Sequence, residues 1–527
     1  MMVKETKKAP FSIMGLGLLI ASVMLLPLAY LIIRTFGAGD EAYEALFRSV
    51  TFWVTVRTIA LIFTVSFLAL LIALPLAWLT VRTDLPYRKV WSVLAVLPLV
   101  IPSYVGALTI ISAFAREGLI QQVLSIFWVF RMPDIYGFTG ATLTLTLFTY
   151  PYMLLILRTA LWKMDPELEE ASRSLGKNQW ITFWQVTLPQ LRPAIGAGAL
   201  LIALYTLSDF GGVSLLRFES LTQQIYVHYQ ASFSRHSAAV FSLLLGLVSA
   251  SLLFIESKSH SRSEYFSTDS KTKKPPFVIK LNNWKWPGVI FIGTVVALGL
   301  LLPITVLTFW LVRGIAAGEP LRLVWSAAIN SGIVSALAAI TSIVAAIPIA
   351  ILSVRYRSTL TTIIERCCYT GFALPGIVVA LALVFFGANY GGFLYQTLPM
   401  LILAYVILFL PQAIGALRTS LMQVNPRLEE MGRNLGHNPI QVWLKITMPI
   451  LRPGLIAGLA LVFLTVMKEL PATLLLSPIG FDTLATKIWS ASSEAFYARA
   501  AAPSLILVFL ASASMLVLMR REGDTSR

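Results

Sequence analysis

Charge is what this sequence has least of. Only 13% of its 527 residues are charged and 57% are hydrophobic, whereas a soluble domain usually carries about 25% charged residues. That shortage excludes an ordinary soluble fold, because the apolar residues run in stretches of the roughly 20 needed to cross a bilayer as helix. Cysteine is nearly absent. Cys367 and Cys368 are the only two, and they are adjacent. A disulfide framework or a zinc site needs more cysteines at other spacings, so the pair reads as small packing residues. Clean alternation of polar and apolar residues is missing, which excludes a transmembrane barrel. A Walker A sequence is missing too: Gly176-Lys177 is followed by Asn178, not Ser or Thr. The chain is therefore expected to hydrolyse no ATP and to bind no cofactor or metal of its own.

What is present is a series of twelve candidate spans, near 11–33, 53–80, 90–114, 139–161, 192–213, 237–255, 288–311, 327–353, 366–387, 398–417, 454–476 and 501–519. In lipid such spans must be helices, which satisfy every backbone group internally. The first follows Lys4, Lys7 and Lys8 but has a long apolar core and no small-x-small site before Arg34, so it is read as a retained helix rather than a cleaved signal. The net charge of +16 does not point to nucleic acid. With a cytoplasmic N-terminus, most Lys and Arg fall in cytoplasmic segments, the bias that orients membrane proteins.

The chain is also written twice. Residues 158–193, RTALWKMDPELEEASRSLGKNQWITFWQVTLPQLRP, match residues 418–453, RTSLMQVNPRLEEMGRNLGHNPIQVWLKITMPILRP, at sixteen of 36 positions and an offset of 260. Leu74-Pro75-Leu76-Ala77 echoes Ile347-Pro348-Ile349-Ala350, Val81-Arg82 echoes Val354-Arg355, and Leu97-Pro98 echoes Leu374-Pro375. Between the copies lies 256–286, rich in Ser, Lys and Pro, which reads as an exposed cytoplasmic linker. The expected domains are 1–255 and 287–527, each with six spans. An even number of spans makes the repeats parallel and puts both polar loops on one side, with both termini and the linker in the cytoplasm.

Each loop has a helix–glycine–helix grammar. Asp165-Pro166 and Asn425-Pro426 look like an N-cap followed by proline at the first helical position. Glu167, Glu169 and Glu170, and in the second copy Glu429 and Glu430, suit the positive end of the helix dipole. Gly176 and Gly436 stand where a C-terminal cap wants glycine. A second short helix is expected at 179–187 and 439–447, ended by Pro189 and Pro449.

Glu170-Ala171-Ser172, Gly176 and Val186-Thr187-Leu188-Pro189 resemble the EAA loop of ABC-transporter permeases, the membrane subunits of bacterial importers. Glu430-Met431-Gly432, Gly436 and Ile446-Thr447-Met448-Pro449 resemble it less closely. The resemblance implies the type I ABC importer permease fold in a bacterial inner membrane. It implies EAA-like loops at 165–193 and 425–453 acting as coupling helices, with Glu169, Glu170, Ala171, Gly176, Glu429, Glu430 and Gly436 contacting a separate cytoplasmic ATPase dimer. It also implies an outer solute-binding protein as second partner.

Charged residues inside spans are costly. Ser208-Asp209 and Lys468-Glu469 correspond at offset 260 near the ends of the fifth and eleventh spans. Equivalent acids on equivalent helices would face one another as a negative constriction for a cation, unless they are ordinary helix-end charges or Lys468 neutralises Glu469. Residues 209–226 and 469–488 resemble outer-side segments of the ferric-iron branch of that permease family, with Lys468-Glu469-Leu470-Pro471-Ala472-Thr473 the closest element. The resemblance implies a ferric-iron permease, with thiamine, phosphonate or another small solute as alternatives. Arg217, Glu219 and Asp482 are candidate contacts for the binding protein. Tyr226, His228, Tyr229 and His236 form a possible but weaker iron-ligand group, since tyrosine also anchors membrane interfaces. Two competitors are an ion-coupled secondary transporter, which would show inverted repeats and midplane charges, and a non-transporting scaffold for a cytoplasmic partner.

A membrane-impermeant thiol reagent should label cysteines placed at positions 170 and 430 from the same face of sealed vesicles. Labelling from opposite faces would remove the parallel-repeat reading.

Overall fold

The computed structural model describes residues 9–37, 44, 46–125, 132–230, 235–260, 278–319 and 322–525, and among them it is helical with no β-strand. Among the described residues ten helices are long and apolar enough to cross a membrane, and two more candidate spans are bent pairs. These account for the twelve expected spans.

The two bent pairs correct the expectation of plain helices near 90–114 and 366–387. Arg88–Val100 turns by 97° into Ser103–Leu124, and Thr359–Gly371 turns by 100° into Gly376–Asn389. Proline disfavours helical backbone in the residue before it. Ile101 (φ −79°, ψ 118°) and Leu374 (φ −104°, ψ 122°) are accordingly extended, and Pro102 and Pro375 sit at the N-caps of the outgoing helices. The structural counterpart of Pro375 is therefore Pro102, not Pro98, and the shared offset is the 273 that also relates Leu74-Pro75 to Ile347-Pro348.

The chain divides into two compact units that are not the two sequence halves. One unit holds Tyr43–Glu319 with Ala491–Ala501. The other holds Met1–Ala42, Pro320–Ser490 and Ala502–Arg527. The opening helical segment of each repeat is thus built into the unit formed mainly by the other repeat.

In the first unit, Ser49–Arg82 packs along Phe138–Lys163, and Leu188–Ser208 packs on both. The opening helix of the second repeat joins them: Gly299 comes so close to Pro98 that an added Cβ would lie 3.0 Å from its ring. The end of the expected linker is also ordered here. Ile279 pairs with Thr83 as an isolated bridge. Leu281 N–H donates to Asp84 at 2.8 Å, and Lys285 pairs with Asp84 at 2.8 Å. The hydrogen bond from Lys285 holds the Asp84 carboxyl below the usual carboxylate range. The preceding helix runs on to His260, and 261–277 lie outside the described residues.

In the second unit, Arg322–Arg355 packs along Leu398–Gln423 and Met448–Met467. Phe11–Met24 lies against Thr359–Ala373 and Arg322–Arg355, and Leu26–Phe36 against Gly376–Asn389. Cys368 is buried and unbonded to another sulfur, as the packing reading expects.

Gly371 marks one tight crossing in this unit. An added Cβ would collide with the Ile407 carbonyl oxygen and lie 2.9 Å from Met24 Cε. Overpacking of this kind costs about 1–3 kcal/mol. Gly371→Val should therefore lower the thermal unfolding midpoint of the purified protein, and an unchanged midpoint would deny that the Phe11–Met24 helix is seated there.

Candidate functional site

The duplicated loops fold alike. Pro166–Ser174 begins at Asp165, whose carboxylate accepts the Glu167 N–H at 2.9 Å. Pro426–Asn434 begins at Asn425, whose side chain accepts the Arg427 N–H at 3.1 Å. Both helices stop at glycine in the left-handed region, Gly176 at φ 81° and Gly436 at φ 85°. There the Lys177 N–H reaches back to the Ser172 carbonyl at 3.3 Å, and the His437 N–H to the Gly432 carbonyl at 3.2 Å, satisfying carbonyls that the helix end leaves open. A signal missed in sequence follows at once. Asn178 and Asn438 are identical in the two copies, and each caps the next helix, accepting the N–H of Ile181 and Gln441 at 2.8 Å.

The expected break at Pro189 and Pro449 does not occur. Gln179–Ser208 and Pro439–Met467 each form one continuous span of 30 and 29 residues. A π-turn, Phe183–Thr187 or Trp443–Thr447, stands just before each proline. Proline lacks an N–H and clashes with the carbonyl four residues back; the wider turn removes that clash. Ala297–Leu301 plays the same part before Pro303.

The two glutamates of each loop part company. Glu169 points into its unit: its carboxylate lies 3.2 Å from Arg82 Nη1 and accepts the Thr187 hydroxyl at 2.8 Å. Arg82 ends the Ser49–Arg82 helix and is 1% exposed. Glu429 repeats the arrangement, 2.9 Å from Arg355 Nη2 and accepting Thr447 at 3.3 Å, while Arg355 also donates to the Val424 carbonyl at 3.1 Å. Glu170 and Glu430 are exposed. Thus Glu169 and Glu429, expected at a partner surface, brace the loop to the membrane helix instead.

The outward face is apolar. Leu168, Ala171 and Leu175 share one helical stripe and are exposed, as are Leu428, Met431 and Leu435 at matching positions. Trp180 and Trp184 and their counterparts Ile440 and Leu444 are exposed as well. The inner side is close-packed: Ser172 Oγ meets Thr182 Oγ1 at 3.1 Å, and at the equivalent Gly432 a Cβ would collide with Ile446. An alanine there would require the end of the Ile446 side chain to shift.

The span-end acids also receive definite partners. Asp209 accepts a hydrogen bond from the Ser103 hydroxyl and the Val213 N–H at 3.1 Å. Glu469 accepts the Ala472 N–H at 3.3 Å and lies against Gly376, where a Cβ would collide with it. Each acid therefore caps a short helix and sits against the start of the limb after the proline bend. Ser208 donates to the Leu204 carbonyl.

The family described as "Binding-protein-dependent transport system inner membrane component" matches twice, at residues 71–257 and 342–521. The chain belongs to this family.

As a permease of this family it is a multi-pass membrane protein of a bacterial transport system, a transport subunit that works with ATP-binding and substrate-binding partners. The Fe(3+)-transport system permease protein FbpB 2 of Haemophilus influenzae is 34% identical over 98% of this chain and 99% of its own length. The ferric transport system permease protein FbpB of Actinobacillus pleuropneumoniae is 25% identical over 85% of this chain and 68% of its own length. The molybdenum transport system permease protein ModB of Escherichia coli is 34% identical, but over 28% of this chain and 65% of its own length.

The remaining candidates of the permease lie at its surface. Arg217 adopts φ 53° and stacks its guanidinium 4.9 Å from the Tyr136 ring centre. Glu219 pairs with Arg57 at 2.9 Å and Asp482 with Lys487 at 2.7 Å, exposed pairs that contribute little to stability. Of the suggested iron-ligand group, Tyr226 accepts a hydrogen bond from Gln230 at 2.7 Å, His228 stacks on Phe241, and the side chain of His236 lies outside the described residues.

The brace and the glycine turn should fail by different amounts. Around Gly176 there is open space, so Gly176→Ala carries only the left-handed backbone penalty of about 1–2 kcal/mol. Arg82→Ala strands the buried end of Glu169, a change of about 3–5 kcal/mol for a buried pair. Hydrogen exchange over 166–187 should rise more in Arg82→Ala than in Gly176→Ala; the reverse order would refute the brace.

Proposed function

We propose that the chain is the membrane-spanning permease subunit of a ferric-iron ABC importer, powered in trans by a cytoplasmic dimer of ATP-binding subunits that hold the nucleotide. The carrying observation is the inverted face of the loop helices. A short helix packed on a protein body normally turns its apolar stripe inward; these two turn Leu168–Leu175 and Leu428–Leu435 outward at equivalent positions. Large apolar side chains exposed together mark a partner surface. Two such surfaces in one chain suit a partner with two equivalent clefts, which supports a homodimer.

ATP-driven closure of that dimer would displace each loop. Glu169 and Glu429 would carry the displacement through Arg82 and Arg355 to the long Ser49–Arg82 and Arg322–Arg355 helices. The N-terminus, linker and C-terminus then lie with the loops in the cytoplasm, and Arg217, Glu219 and Asp482 remain candidate contacts for an outer binding protein.

Two facts favour ferric iron as cargo. The relatives matched over most of this chain carry ferric iron in their names, whereas the molybdenum relative matches about a quarter of it. The chemistry has the matching sign at Asp209, whose carboxylate repels oxyanions and attracts cations; its counterpart Glu469 has Lys468 as its chain neighbour.

The test is reconstitution in liposomes with the ATPase and binding proteins loaded separately with ferric iron, sulfate, molybdate, thiamine or a phosphonate. Only the iron-loaded protein should stimulate ATP hydrolysis and produce accumulation. Accumulation of another solute would replace the cargo assignment, and uptake without ATP would replace the mechanism.

A further inference from the structure

The polar loop of the first unit is fastened to more than one membrane helix, and Arg82 is the meeting point. Its guanidinium lies 3.2 Å from Glu169 of the loop. Its backbone carbonyl accepts the Ile279 N–H at 2.8 Å, and the Ile279 carbonyl accepts the Asp84 N–H at 3.1 Å. The Asp84 carboxylate then uses both oxygens on the next element. Oδ1 takes the Leu281 N–H at 2.8 Å, and Oδ2 pairs with Lys285 Nζ at 2.8 Å. Leu281 and Lys285 flank Asn282–Trp284, the first turn of the span Asn282–Ala316 that opens the second repeat. The next turn is seated as well: a Cβ added to Gly288 would lie 3.1 Å from Leu85 Cδ1 and 3.3 Å from Leu79 Cδ2. Residues 82–85 thus hold the loop through one side chain and the opening span through backbone, carboxylate and leucine.

The plainer reading is that Asp84 merely caps the start of a helix. A cap accounts for the Leu281 bond. It does not account for the pairing of Ile279 with residues 82 and 84, which runs along the same backbone that carries the brace to Glu169. The second unit supplies the comparison. At the offset of 273, Arg82, Thr83 and Asp84 become Arg355, Tyr356 and Arg357. The brace is kept, since Arg355 pairs with Glu429. The acceptor two residues on is replaced by a cation, and a guanidinium accepts no hydrogen bond. The brace is therefore duplicated, while the carboxylate clasp belongs to the first copy.

We infer that Asp84 is a positioning residue for energy coupling, the clasp through which the first loop moves the opening span of the second repeat together with Ser49–Arg82. This rests on the reading above in which a cytoplasmic ATPase displaces the loops. Displacement is carried by contiguous packed and hydrogen-bonded groups, and here the groups are continuous. From Glu169 it reaches Arg82. From Arg82 the backbone bonds to Ile279 and the Asp84 carboxylate carry it to Lys285, while Gly288 keeps the opening span against Leu79 and Leu85. The first loop therefore drives two spans. The second loop, through Arg355, drives Arg322–Arg355 without a matching clasp at Arg357. Two loops gripped alike are thus unequal transmitters.

The test compares Asp84→Ala, Lys285→Ala, the double variant, and Arg357→Ala as the counterpart in the second unit. Each is reconstituted in liposomes with the ATP-binding subunits. The binding protein is loaded with whichever of ferric iron, sulfate, molybdate, thiamine or a phosphonate the unsubstituted protein accumulates. Uptake and ATP hydrolysis are measured together. In Asp84→Ala the uptake per ATP hydrolysed should fall at least about fivefold, the lower end of ordinary coupling between two sites, with stimulated hydrolysis retained. Lys285→Ala should lower the ratio too, and the double variant should lose no more than Asp84→Ala alone, because both changes break one link. Arg357→Ala should leave the ratio unchanged. An unchanged ratio in Asp84→Ala overturns the clasp and leaves ATPase docking at the loops intact. Uptake and hydrolysis falling together make Asp84 structural and also overturn it, as do losses that multiply in the double variant or an equal loss in Arg357→Ala. Uptake by the unsubstituted protein without ATP removes the coupling reading and the clasp together.

Discussion

A buried guanidinium needs a carboxylate, and this requirement ties the polar loops to the membrane helices. Arg82 is carried into the protein at the end of a 34-residue helix and is 1% exposed. Burying an unpaired charge costs several kcal/mol, so the cation is tolerable only with Glu169 beside it. Arg355 and Glu429 restate the arrangement. The loop helix has nine residues, too few to persist alone in water. Its order therefore comes from the caps at its two ends, the small-residue contact with the following helix, and this ion pair. In the proposed coupling mechanism, a loop fixed at several points passes on a displacement where a loose one would absorb it.

The same contact decides which face the loop offers. With Glu169 and Ser172 turned inward, helical periodicity forces Leu168, Ala171 and Leu175 outward, and Glu429 with Gly432 does the same for Leu428, Met431 and Leu435. The exposed apolar stripe is thus the geometric consequence of a polar anchor. Glu170 and Glu430, one residue further along, stay at the rim with their charges in water.

Much of this was legible in sequence because the relevant physics is local. Spans follow from the length of apolar runs, and the caps at Asp165, Asn425, Gly176 and Gly436 follow from residue type. The division of labour between Glu169 and Glu170 was not legible, because it depends on Arg82, nearly ninety residues away, being buried. The spacing of Glu169 and Ser172 against Leu168 and Leu175 carried the signal. The bends at Pro102 and Pro375 were hidden inside apolar runs, where hydropathy is blind to direction; the common offset of 273 was the available clue. Pro189 and Pro449 misled in the opposite sense, since a π-turn lets each helix pass a proline unbroken. The exchange of opening helices between units leaves no mark on composition, because a greasy helix suits either partner.

The acids at the span ends show why a structural role and a transport role need not compete. Asp209 and Glu469 each hold a short helix and the limb beyond a proline bend, and Gly376 is glycine because Glu469 occupies the space its side chain would take. Such packing keeps a charged group at a fixed place despite the cost of holding it near lipid. A serine or asparagine caps a helix as well as an acid does, without a charge to desolvate. A carboxylate at both positions is therefore available for a second use of its charge. In the proposed importer the use is to lower the barrier for a cation.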